Sequence, residues 1–136
     1  MADETPSIWL VDDDEDDLQL IRAAFYRAAP DLAIKALQDG DEVLAQLLSS
    51  PELPSLIMLD LNMTRTGGFQ VLEAMRSDER YNQLPIVVLT TSTNPADKSR
   101  SQSLGASDFY SKPDQFDALT QLCQQLVRHW LSKQVD

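Results

Sequence analysis

Five residues of this chain have types and settings that fit one chemistry. Asp12 and Asp13 close an apolar run, Ile8-Trp9-Leu10-Val11. Asp60 closes a second run, Leu56-Ile57-Met58-Leu59, and Thr90, with Thr91 after it, closes a third that begins at Ile86. Lys112 follows the short stretch Asp108-Phe109-Tyr110-Ser111 and precedes Pro113. Carboxylates brought together are costly to keep ionised unless a cation joins them. Oxygen donors around a partly open crevice suit a hard divalent cation, most naturally Mg²⁺. A carboxylate such as that of Asp60 is ionised at neutral pH, so it can attack phosphorus without a general base and form an aspartyl phosphate. The oxygens of a transferring phosphoryl group then need stabilising on several sides. The Thr90 hydroxyl, nearby backbone N–H groups and the Lys112 ammonium are suited to that work. Taken singly these residues are ordinary, since Thr at a strand end is usually a turn residue and Lys before Pro usually faces solvent. Their weight comes from a shared place in the fold.

The fold has to supply that place. The three apolar runs are continuous and do not alternate, which fits strands buried on both faces of a parallel sheet. Leu32 to Leu37 and Asp108 to Ser111 are weaker strand candidates. Between the runs lie helical patterns. Leu18, Ile21, Phe25 and Ala28 form one stripe, ended by Pro30, and Val43, Leu44, Leu47 and Leu48 form another within Asp41 to Leu48. Val71, Leu72 and Met75 mark a helix from Phe69 to Arg76, and a fourth starts at Pro95 and stops at Gly105 after Leu104. The last runs from about Phe116 to Lys133, with Leu119, Leu122, Leu126 and Val127 inward. Alternating strand and helix predicts right-handed βαβ units and an α/β sandwich. The expected form is a five-stranded parallel sheet in the order 2-1-3-4-5, a flavodoxin-like (βα)5 fold with its site at the carboxyl ends of strands 1 and 3. Asp12, Asp13 and Asp60 then share one crevice.

Asp12 and Asp13 open the acidic run VDDDEDD. The remaining acids, Asp14, Glu15, Asp16 and Asp17, fall on the first turn of the next helix. Carboxylates there favour the positive end of the helix dipole, and the expectation is a solvated run with capping value.

The chain has 136 residues, which suggests one domain with a core of about residues 7–131. Its 22 acids against 11 Lys and Arg leave a net charge of −11, which argues against nucleic acid and against an anionic membrane surface. No apolar run approaches a membrane span. MADETPS lacks the basic and apolar regions of a signal peptide, and the lone Cys123 has no internal disulfide partner, so a cytoplasmic location is expected.

At these spacings the order Asp12-Asp13, Asp60, Thr90, Lys112-Pro113 resembles the receiver domain of two-component response regulators, over Ile8 to about Leu131. The resemblance implies that a sensor histidine kinase or a phosphotransfer protein donates a phosphoryl group to Asp60 in a Mg²⁺-dependent step. It implies Mg²⁺ ligation by Asp13, Asp60 and the Asn62 backbone carbonyl, with Asp12 acting through water. It makes Thr90 and Phe109 the switch pair, Lys112 a catalytic cation, and the Lys112–Pro113 bond a candidate cis peptide. A downstream protein target is the implied reader of the switch. The segments Asp60 to Arg65 with Gly68-Phe69, Val88 to Ser92, the pair Asp16-Asp17 and Arg22 resemble the small stand-alone receivers that serve phytochrome-type and hybrid histidine kinases.

Departures from the family pattern are Thr64 for proline, Gly67 for aspartate, Phe109 for tyrosine and Thr91 for alanine. A looser loop after Asp60 and altered phosphoryl kinetics are the expected results. Two other readings stand beside this one. One is a pseudo-receiver that only binds. The other is a phosphohydrolase of the haloacid dehalogenase type, whose D-x-D-x-T motif is approached by Asp60, Asn62 and Thr64, although Asn62 is no acid. Val127, Trp130 and Leu131 either finish the core or extend a homodimer surface of helices 4 and 5; His129 is expected to be an exposed helix residue.

Overall fold

A computed structural model describes residues 6–63 and 65–131. Thr64 and the expected helix end at Lys133 lie outside the described residues. The elements in chain order are β1 (Ser7–Val11), α1 (Glu15–Ala28), β2 (Ala33–Leu37), α2 (Gly40–Ser49), β3 (Leu56–Leu59), α3 (Gly68–Arg76), β4 (Ile86–Thr90), α4 (Pro95–Ser103), β5 (Asp108–Ser111) and α5 (Phe116–Leu126). A π-helical turn, Val127–Leu131, ends the described chain. The strands form one parallel sheet in the order β2-β1-β3-β4-β5, as the alternation of strand and helix predicts.

The continuous apolar runs are explained by what covers each face. Alternate side chains of a strand point to opposite faces. Ile8, Leu10, Met58, Val87 and Leu89 pack against Leu18, Ile21 and Phe25 of α1 and Leu119, Leu122 and Leu126 of α5. Trp9, Val11, Ile57, Leu59, Ile86 and Val88 pack against Val43 and Leu47 of α2 and Val71, Leu72 and Met75 of α3. Burying a Leu or Ile in this way stabilises the fold by roughly 1.5–3 kcal/mol each. The central strands β1, β3 and β4 are therefore apolar from Ile8 to Val11, Leu56 to Leu59 and Ile86 to Leu89. The edge strand β2 alternates because it is covered less. Its open edge is blunted: Arg22 Nη2 donates to the Ile34 carbonyl at 3.3 Å, and the Gln38 N–H donates to Glu42 at 2.8 Å.

Caps set where the helices begin, which aims the strand ends. Asp14 accepts from the N–H groups of Asp16 and Asp17 at the start of α1. Asp39 accepts from Asp41 at α2, and Asn94 from Ala96 at α4, where Pro95 takes the first turn. Gly105, at φ +102°, follows α4 and supplies the left-handed stop expected there.

The last helix differs from expectation. It is α-helical only to Leu126 and then widens into the π turn. The spacing explains it: an α-helix would place Trp130 below Leu126, whereas the extra residue of a π turn brings Leu131 there instead. Leu131 is buried, with Val127 and Trp130 half-buried against the same core, and His129 is exposed as expected. These three apolar residues finish the core.

Candidate functional site

Backbone hydrogen bonds at the carboxyl edge of the sheet put the functional side chains in register. The Asp12 N–H donates to the Leu37 carbonyl and the Asp60 N–H to the Val11 carbonyl, each at 3.0 Å. The Lys112 N–H donates to the Thr90 carbonyl at 2.8 Å. Each residue thus continues the sheet one step past its strand. Oxygens of Asp12, Asp13 and Asp60 all lie within 4.8 Å of one another, a grouping able to hold a divalent metal. Asp12 and Asp60 are buried, at 2% and 6% exposure, and Asp13 is half-buried.

Lys112 reaches into this group. Its Nζ lies 2.6 Å from Asp12 Oδ2, 2.6 Å from Asp17 Oδ2 and 3.4 Å from Asp60 Oδ2. Burial works against the Lys112 ammonium, but the hydrogen bonds to Asp12 and Asp17 outweigh it and hold the group above the ordinary lysine range. Burial also pushes the Asp12 carboxyl up to about 6, even with the ammonium beside it. Burial, more than the neighbouring charges, sets that direction. Three carboxylates with oxygens this close form an all-oxygen donor set that fits a hard metal such as Mg²⁺ or Mn²⁺.

Thr90 is fully buried. Its hydroxyl oxygen accepts from the Ser92 N–H at 3.3 Å and meets the Asn62 amide at 3.5 Å. The Asn62 N–H donates to Asp60 Oδ1 at 3.3 Å, which folds the loop back over the acid. The Gly68 N–H donates to the Leu61 carbonyl at 3.2 Å and seats the start of α3 against β3. The same loop is tied to α2 by Arg65–Asp39 at 3.1 Å and by the Thr66 hydroxyl on Asp41. These ties act where looseness was expected. A Cβ at Gly67 would meet only the Leu61 carbonyl, at 3.5 Å, so sterics do not require glycine there. Phe109 pairs with Val88 and sits half-buried against the second core, and Thr91 is exposed.

Two expectations need correction. The Lys112–Pro113 bond is trans. Trans is the lower-energy isomer of an X–Pro bond, and from it Lys112 already makes its backbone bond to Thr90 and its contacts with the acids. The acidic run is also not solvated throughout. Asp14 caps α1 and Glu15 and Asp16 are exposed, but Asp17 turns inward to Lys112. Capping explained Asp17 well enough in the sequence. Its partner lies 95 positions away, beyond any local signal.

The sheet order, the acid cluster at the ends of β1 and β3, and the Thr90 and Lys112 edge define a phosphoacceptor-type α/β signalling domain. Residues 8–124 match the response regulator receiver domain, and the chain belongs to that family, whose members are signalling phosphoacceptors and not turnover enzymes. It is 32% identical over 134 residues to the probable methanogenesis regulatory protein FilR2 of Methanothrix harundinacea, covering 96% of this chain and 86% of that one. It is 30% identical over 139 residues to response regulator Rcp1 of Synechocystis, covering 96% and 95%. The structure of the phosphorylated cyanobacterial phytochrome response regulator RcpA superposes with a TM-score of 0.88 at 30% identity, covering 95% of this chain and 96% of that one. The Mn²⁺-bound form of Rcp1 gives 0.82 at 29% identity, covering 93% and 94%. No helix among the described residues is long and apolar enough to cross a membrane.

Proposed function

We propose that residues 7–131 act as one receiver domain that takes a phosphoryl group on Asp60 from the phosphohistidine of a sensor kinase or phosphotransfer protein, and signals through protein contacts. The observation that carries this reading is the meeting of Asp60 with Asp12, Asp13 and Lys112 at one strand edge. An Asp60 oxygen attacks phosphorus as the P–N bond of the donor breaks. The imidazole leaves with the electron pair and takes a proton from solvent. Lys112 turns from its carboxylates toward a phosphoryl oxygen, and the Thr90 hydroxyl donates to another. When bound to Asp12, Asp13, Asp60 and the Asn62 carbonyl, Mg²⁺ would neutralise charge on the phosphoryl oxygens. Thr90 and Phe109 then carry the change to the face of α4, β5 and α5 as a population shift.

Asn62 favours acceptor over hydrolase. Its amide is neutral and cannot activate water, so the aspartyl phosphate should persist. Likeness to RcpA and Rcp1 supports a phytochrome-type or hybrid kinase as donor. A homodimer through α4 and α5 gains no large apolar side chain from α4, PADKSRSQS, and Val127, Trp130 and Leu131 already pack against the core.

Phosphoramidate, a small P–N donor, and a generic phosphate ester separate the readings. With Mg²⁺ the protein is expected to take one phosphoryl group from phosphoramidate and to release no phosphate from the ester over many turnovers. Sustained turnover of the ester would overturn the assignment.

A further inference from the structure

Asp17 is the acid that neither the metal nor the acceptor role uses. It lies in the first turn of α1, where its N–H is held by the Asp14 cap at 3.3 Å. Its side chain is 31% exposed, yet its Oδ2 lies 2.6 Å from Lys112 Nζ, as close as Asp12 Oδ2. The carboxylates able to hold a cation together are those of Asp12, Asp13 and Asp60. The Lys112 ammonium is thus shared between two acids of that group and one acid outside it.

The sharing matters because two cations seek the same oxygens. An ammonium against Asp12 and Asp60 repels a divalent ion placed among them. An ammonium has three donors on a flexible stem, so it settles where carboxylates lie. We propose that Asp17 is a positioning residue for Lys112. It holds the ammonium partly on the α1 side of the crevice, so that Lys112 stays within reach of Asp60 while its hold on the oxygens a divalent cation needs is shared with an acid outside that group. The inference rests on the phosphoacceptor reading of the site, and it assigns Asp17 its own part in that site. Without Asp17, Lys112 keeps only Asp12 and Asp60 of these three partners, and becomes a stronger competitor for the metal site.

Calorimetric titration with Mg²⁺ tests this directly. The proteins needed are wild type, Asp17→Asn and Asp16→Asn, with the first two repeated in a Lys112→Met background. Asp16→Asn removes the same charge one residue away, from an exposed side chain. Asp17→Asn is expected to weaken Mg²⁺ binding about fivefold or more, Asp16→Asn by less than about twofold, with Asp17→Asn adding nothing in the Lys112→Met background. Asp17→Glu, which keeps the carboxylate, is expected to retain near wild-type affinity and serves if Asp17→Asn folds poorly. Equal effects at Asp17 and Asp16, or an undiminished Asp17 effect without Lys112, would overturn the proposal. Loss of Mg²⁺ affinity in Asp17→Glu equal to that in Asp17→Asn would do so too. Phosphoramidate transfer to wild type, run in parallel, separates this outcome from failure of the acceptor reading itself.

Discussion

Lys112 contacts three carboxylates through one ammonium, and that geometry sets its role. A group already held among oxygens at the strand edge needs little reorganisation to meet new oxygens on phosphorus. Lys112→Met removes the charge and keeps most of the stem. With Mg²⁺ saturating, phosphoryl uptake by that variant is expected to slow about 100-fold, the scale of losing one preorganised donor to developing charge. A rate within a few-fold of wild type, measured by intact mass over time, would remove Lys112 from the transfer step. The sequence made the positions of Asp12, Asp60 and Thr90 legible because each stands at the end of a continuous apolar run, and that of Lys112 through the weaker strand candidate before it; strand ends meet at one edge in this fold. Asp17 was not legible as a Lys112 partner. Its inward turn depends on how α1 sits over the sheet, which no spacing within the acidic run encodes.

Elements carry the next level of control. The carbonyl of Asp60 and the Cα of Leu61 lie 2.5 and 2.8 Å from where a Cβ on Gly68 would stand. Both are backbone atoms and cannot turn aside. Gly68→Ala should therefore push α3 away from β3 just behind Asp60, with a cost of about 1–3 kcal/mol, the range for overpacked sites. Thermal unfolding would show it as a lowered midpoint, and an unchanged midpoint would mean that the contact relaxes freely. α4 is the contrasting element. Its sequence PADKSRSQS has no large apolar side chain, and it is held by the Asn94 cap, the Ser92–Asp97 hydrogen bond and the stacking of Arg100 over Phe69. Strand and helix positions were readable from apolar period and breakers, as at Pro95 and Gly105. The π turn was not, because Leu131 and Trp130 offer equal apolarity and only packing decides between them.

Across the whole molecule, two apolar faces keep a single sheet rigid while one edge gathers most of the chemistry. Three of the 22 acids, Asp12, Asp13 and Asp60, cluster at that edge, where a divalent cation is expected. A site built this way should work only when its cation is present and its nucleophile intact. The most direct measurement is intact mass after incubation with acetyl phosphate, on wild type and Asp60→Asn, with Mg²⁺ and with a chelator. One phosphoryl adduct is expected on wild type with Mg²⁺, and none on Asp60→Asn or under chelation. An adduct that survives in Asp60→Asn, or forms equally well with the chelator, would contradict Asp60 as the metal-dependent acceptor; a folded wild type that takes no adduct would make the domain a binding module instead.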